Sequence, residues 1–289
     1  MFYTIEELVQ QADRDYQGDI AELMIATETE LSGRDRSEIL ELMTRNLEVM
    51  KDSVQDGLSP EKSSTGLTGG DAAKLDAYIK RGKTLADSTV LGAARNAMAV
   101  NESNAKMGLV CATPTAGSAG CLPAVLTVAI EKLGLSESQQ LDFLFTAGAF
   151  GLVIANKASI SGAEGGCQAE VGSASAMAAA AITMAAGGTP FQASQAICFV
   201  LKNMLGLICD PVAGLVEVPC VKRNAMGASF ALVATDMALA GITSAIPVDQ
   251  VVDAMYQVGS AMPTAFRETA EGGLAVTPKG KALAKEIFG

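Results

Sequence analysis

Apolar side chains recur every three or four positions along almost the whole chain, and runs that alternate apolar with polar residues are nearly absent. Ile39, Met43, Leu47, Met50 and Val54 share one face of a helix that Asp35 opens and Gly57 ends. Thr4 with Glu7 reads as a capping box, as does Ser136 with Gln139. Further helices are predicted near 71–81, 86–107, 122–133, 166–186, 190–206, 222–242, 247–261 and 278–288, several of them opened by a proline. The expected fold class is all-α, a multi-helix globular domain with buried Ala/Gly-rich helices and Gly/Ser-rich active-site loops. The domain is expected to run over 1–289, with 1–60 as an N-terminal amphipathic helical part.

The later helices are apolar nearly all round. ASAMAAAAITMAAGG, for example, suits a helix buried on most sides at short interaxial distance. Ala225 to Ile246 reaches the roughly 20 residues that a bilayer span requires, but its Asp236 and its Gly, Ser and Thr residues mark it as a buried helix. No βαβ alternation is visible, which argues against a doubly wound nucleotide-binding sheet.

Composition narrows the partners. The chain carries 21 basic against 32 acidic residues, a net charge of −11. That balance argues against nucleic acid or an anionic membrane and for a small molecule or another protein. The acidic N-terminus MFYTIEELVQQADRD has no basic segment leading into an apolar one, so the expected location is the cytoplasm. In that reducing compartment the six cysteines are core thiols, nucleophiles or metal ligands rather than disulfides.

Four connections are richer in Gly, Ser and Thr than a turn requires: SSTGLTGGD (63–71), ATPTAGSAG (112–120), NKASISGAEGGC (156–167) and CDPVAGLVEVPC (209–220). Free N–H groups at a helix start, with small neighbours, hold carboxylate or phosphate. No phosphate-loop or dinucleotide motif is present, so a small carboxylate is the expected ligand. Cys198 lies among apolar helix residues and Cys111 reads as structural. Cys167, Cys209 and Cys220 sit in or beside the loops. The chain has no histidine and no CxxC pair, which leaves a zinc site poorly supported and a histidine-assisted nucleophile unavailable. Three loop thiols are, among other uses, the complement that holds three irons of a [4Fe–4S] cluster.

The stretches TGLTGGDAAKLDAYI, CATPTAGSAG, FLFTAGAFGLVIAN, SISGAEGGCQAEVGSASAMAAAA, LKNMLGLICDPVAGLVEVPCVKRNAMGAS and DMALAGITSAIP resemble the alpha chain of iron–sulfur-dependent bacterial L-serine dehydratase over nearly the whole sequence. The resemblance implies a [4Fe–4S] enzyme that converts L-serine to pyruvate and ammonia without pyridoxal phosphate, as a heterodimer with a beta chain or as a homo-oligomer. It also implies that the cluster is held on Cys167, Cys209 and Cys220. On that footing the substrate carboxylate is assigned to Ser63, Thr65, Gly66, Gly69 and Gly70, with Asp71 as helix cap or ammonium partner. Thr115, Gly117, Asn156 and Asn224 are assigned to the same pocket. Lys222 and Arg223 are assigned catalytic roles, through the cluster's charge or the carboxylate. With no histidine, the base is Lys157 or Lys222 with a lowered pKa, or a group of the beta chain. Two rival readings are a pyridoxal-phosphate dehydratase with Lys157 as the Schiff base and a non-catalytic subunit.

Overall fold

The computed structural model of the chain describes residues 2–289. It contains thirteen α-helices and, among the described residues, no strand beyond a single bridge between Cys209 and Arg267. The helices are α1 (Ile5–Asp15), α2 (Ile20–Ser32), α3 (Arg36–Gly57), α4 (Asp71–Lys80), α5 (Ser88–Ala105), α6 (Cys121–Leu133), α7 (Glu137–Lys157), α8 (Gly162–Gly165), α9 (Cys167–Ala185), α10 (Pro190–Met204), α11 (Cys220–Leu239), α12 (Val248–Ala261) and α13 (Pro278–Phe288).

The capping boxes at Thr4 and Ser136 form as the sequence predicts, and Asp35 caps α3 in the same way. Two helical elements go beyond the predicted set. Asp19 caps α2, and one short turn, α8, interrupts the loop at 156–167.

Helix α9 is the axis of the molecule. Each residue from Cys167 to Thr183 is buried, and α6, α7, α10 and α11 pack around it. Its Ala, Gly and Ser side chains let the neighbours come close, which an axis of large side chains would forbid. A methyl group on Gly227 of α11 would lie 2.4 Å from Ser175 Oγ, and one on Gly151 of α7 would lie 2.7 Å from Met177 Cε. Around α9, the core joins Ile5 and Leu8 of α1 to Ile197 of α10 and Val252 of α12.

The stretch from Ala225 to Ile246 departs from expectation. Its helix starts at Cys220 and stops at Leu239, and it is buried on one side only. Met226, Phe230 and Val233 are exposed on the other side, at helical spacing. Apolar composition alone does not distinguish a helix with one buried face from one buried all round.

Candidate active site

Two of the three loop cysteines occupy equivalent positions. Cys167 is the first residue of α9 and Cys220 the first residue of α11, and neither helix has a side-chain N-cap. The helix dipoles direct partial positive charge toward the two thiols, while the amides that follow are bonded to backbone carbonyls, Gln168 N–H to Leu207 and Val221 N–H to Glu217. Gly166 makes the turn into α9 with φ +75°, and a methyl there would lie 2.7 Å from Met262 Sδ and 2.9 Å from the Leu207 carbonyl. Cys209 arrives from the other side on the bridge: its N–H donates to the Phe266 carbonyl and its carbonyl accepts from Glu268 N–H, both at 2.8 Å.

All three thiols are buried and unpaired. The ligand atoms of Cys167, Cys209 and Glu170 lie within 4.8 Å of one another. The neighbouring Cys209 thiol, then the Arg223 guanidinium, holds Cys167 below the usual thiol range against the opposing effect of burial. The same contact, then burial, pushes Cys209 up. Burial, then the negative charge of Cys167 and Glu170, pushes Cys220 up. The other cysteines behave as core thiols: burial raises Cys111 and Cys198, and takes Cys121 up to about 12.

Arg223 sits one turn after Cys220 and reaches across to Cys167. Its Nη1 lies 3.5 Å from Cys167 Sγ and 2.8 Å from the Ile208 carbonyl. Its Nη2 lies 2.8 Å from Asp210, close in distance but not aligned as a hydrogen bond. Asp210 is buried and accepts from Leu274 N–H, so the segment after α12 also braces the arginine.

The glycine-rich loops converge on this place, though their donors are already engaged. Ser63 and Thr65 donate to the buried Glu217 carboxylate at 2.6 and 2.8 Å. Gly70 and Asp71 N–H, at the start of α4, donate to Glu102 at 2.9 Å each. Both anions are the protein's own, and they tie loop 63–71 to α5 and to loop 209–220. Gly69 and Gly70 turn with φ +113° and +79°, and a methyl on either would run into the backbone of Glu61 or Pro60. Gly66 is exposed at the loop tip.

Thr115 donates to Glu170, and the Gly117 carbonyl accepts from Asn101 and Asn224. Asn224 is wholly buried and also accepts from Gly120 N–H, joining loop 112–120 to α11. Asn156 is exposed in the last turn of α7 and takes no part in these bonds. Lys157 pairs with Asp253 of α12, while loop 63–71 is bonded elsewhere, so a Schiff-base lysine and its phosphate cradle are not brought together. Lys222 is half-exposed and pairs with Asp71 at 2.5 Å. Each lysine is thus held by a carboxylate, Lys157 by Asp253 and Lys222 by Asp71, which Lys74 also pairs with.

Sequence reasoning passed over four acidic groups here: Glu170, Asp210, Glu217 and Glu268. One local signal was available for Glu170, since a residue three places after Cys167 shares its helix face. A methyl on Gly162 would come within 3.0 Å of Cys209 Sγ, 3.1 Å of Glu170 Oε2 and 3.2 Å of Glu268 Oε2; one on Gly117 would lie 2.5 Å from Glu170 Oε1. The glycines of loops 112–120 and 156–167 are therefore the walls of a cradle formed by thiols and carboxylates.

A profile of the serine dehydratase alpha chain family matches residues 15–275. The chain belongs to that family. It is 60% identical over its full length to a probable L-serine dehydratase alpha chain of Bacillus subtilis, covering 96% of that protein. It is 40% identical over 270 residues to the L-serine dehydratase alpha chain of Peptoniphilus asaccharolyticus, covering 93% of this chain and 92% of that one. An Escherichia coli L-serine dehydratase is longer: 36% identity extends over 95% of this chain and 62% of the relative. In this serine dehydratase family member, Cys167 and Cys220 thus stand at the N-termini of two core helices, Cys209 lies on the bridge, and Arg223 reaches Cys167.

Proposed function

We propose that this chain is the catalytic alpha chain of an L-serine dehydratase, holding a [4Fe–4S] cluster on Cys167, Cys209 and Cys220 and converting L-serine to pyruvate and ammonia. The observation that carries this reading is the setting of the thiols. They are buried and free of disulfides, Cys167 and Cys220 each open a core helix, and the Arg223 guanidinium lies 3.5 Å from Cys167. A cluster with three thiolates is anionic, and this donor set with its positive surroundings fits it. The bare wall at Gly162 fits it as well, since a side chain there would fill the space beside the Cys209 sulfur.

When bound, such a cluster supplies Lewis acidity at the iron that no thiolate holds, which eases departure of a poor leaving group such as hydroxide. The protein's own groups do the remaining work. Arg223 offsets negative charge at Cys167. Burial keeps bulk water from the sulfurs. The internal anions Glu217 and Glu102 hold loop 63–71 against loop 209–220 and α5, which sets the site's outer wall.

The partner we infer is a separate beta chain. Two close relatives are named alpha chains, and in the longer relatives of Streptomyces coelicolor and E. coli the matched region accounts for 61% and 62% of the protein. The compartment we infer is the cytoplasm, where six free thiols stay reduced.

Iron and acid-labile sulfide per chain after anaerobic reconstitution, measured alongside pyruvate formation from L-serine without pyridoxal phosphate, tests the reading. About four irons per chain are expected. Cys209→Ser should lose iron and activity together, whereas Cys198→Ala should keep both. Wild-type chain that takes up no iron, or Cys209→Ser with full activity, would sink it.

A further inference from the structure

Glu170 differs from the other buried acidic groups. It is 6% exposed, its Oε1 accepts from Thr115, its Oε2 accepts from nothing, and no cation pairs with it among the described residues. The others are provided for. Glu217 has two hydroxyls, Glu102 two backbone amides, and Asp210 an amide and Arg223. The unused oxygen is not among the fully buried unpartnered atoms, so it keeps contact with solvent and is open to an arriving group. Burial holds Glu170 above the usual carboxylate range, with Glu268 adding to the effect and the Thr115 bond opposing it.

The unused oxygen has a direction. Glu170 Oε2 and Glu268 Oε2 both lie about 3 Å from the point where a Cβ on Gly162 would stand, with Cys209 Sγ beside them. Glu268 is held there by its N–H bond to the Cys209 carbonyl and by a left-handed backbone, φ +64°, that non-glycine residues seldom adopt. Its carboxylate is exposed and carries no ion pair, so it stands at the mouth while Glu170 forms the floor.

We propose that Glu170 and Glu268 form the subsite for the α-ammonium group of the amino-acid substrate. The inference rests on reading the chain as an amino-acid dehydratase and adds the groups that select an amine. Two carboxylates beside anionic sulfur repel any ligand that brings only a carboxylate. A zwitterion brings the cation that the floor and the mouth both need, so amino acids are bound and the corresponding carboxylic acids are refused. Gly117 and Gly162 keep room for the ammonium by having no side chain.

The test is calorimetric titration of the reconstituted full chain with L-alanine and with propanoate. The two differ only in the ammonium, and neither can lose water, so binding is read without turnover. Wild type is expected to prefer L-alanine by about ten- to a hundredfold, the worth of a charge-assisted bond. Glu170→Gln should bring the preference close to one with iron content retained. Glu268→Gln, on an exposed residue, should reduce it with unchanged iron and melting temperature, and it decides the matter if the first variant does not fold. Three outcomes overturn the proposal: no preference in wild type, the full preference kept in both variants, or loss of iron in Glu170→Gln, which would make Glu170 a cluster-holding residue. The dehydratase reading fails on different measurements, iron uptake and pyruvate formation, so a chain that makes no pyruvate yet prefers L-alanine would keep the ammonium subsite.

Discussion

Arg223 and Asp210 form a pair that stands directly behind the Cys167 sulfur: one guanidinium nitrogen is 2.8 Å from the Asp210 carboxylate while the other is 3.5 Å from Cys167 Sγ. The arginine is thereby shared between a fixed internal anion and the sulfur whose charge it offsets. Asp210 follows Cys209 directly, so loop 209–220 also carries the arginine's anchor.

Removing the anchor should show in the chain as purified without added iron. Asp210→Ala leaves a largely buried guanidinium without its carboxylate, and breaking such a pair costs about 3–5 kcal/mol. Urea unfolding of the apo chain measures this. A loss below about 1 kcal/mol, the range of exposed pairs, would mean that the pair contributes little to the fold.

Gly162→Ala separates space from backbone strain. Gly162 has no left-handed backbone to object to alanine, so the cost is the added methyl beside Cys209, Glu170 and Glu268. The melting temperature is expected to change little, while turnover of L-serine falls at least about tenfold, the effect of slight misplacement at a reacting centre. Wild-type turnover in this variant would show that the cradle walls need not be bare.

Ser63→Ala distinguishes two uses of loop 63–71. If the hydroxyl serves Glu217, removing it leaves a buried carboxylate short of a donor and lowers stability by about 1–3 kcal/mol in the apo chain. If it serves the substrate carboxylate, KM rises and stability stays. The geometry leads to the first expectation, and guanidinium unfolding beside steady-state kinetics reads both.

Lys222→Met carries a pH signature. Lys222, then Lys74, holds the Asp71 carboxyl below the usual carboxylate range. A folded-state pKa below the unfolded one adds stability that is present above the unfolded value of about 4 and is lost as pH falls through the folded value. The wild type should therefore exceed the variant by up to about 1 kcal/mol at pH 7, because Lys222 is half-exposed, and the two should converge once pH has fallen below the folded value of Asp71. A thousandfold loss of kcat in the same variant would instead return Lys222 to the role of base.

Much of this protein is legible along its sequence, because the signals are local. Helix periods, capping boxes at Thr4 and Ser136, the glycine that ends α6 and the three cysteines in glycine-bearing loops each depend on residues a few places apart. The identity of loop 63–71 as a binder of carboxylates was legible too, but not whose carboxylates. Glu217 meets Ser63 from 154 residues away, Lys222 meets Asp71 from 151, and Glu170 meets Thr115 from 55. No periodicity encodes such pairings. They are decided by how α5, α9 and α11 pack, where small side chains allow the helix starts to approach and bring into one place residues that the chain order keeps apart. The sequence by itself determined the elements and the thiols. Only the tertiary structure decided which hydroxyls were already spoken for, which arginine stands behind Cys167, and that Glu170 keeps one oxygen free.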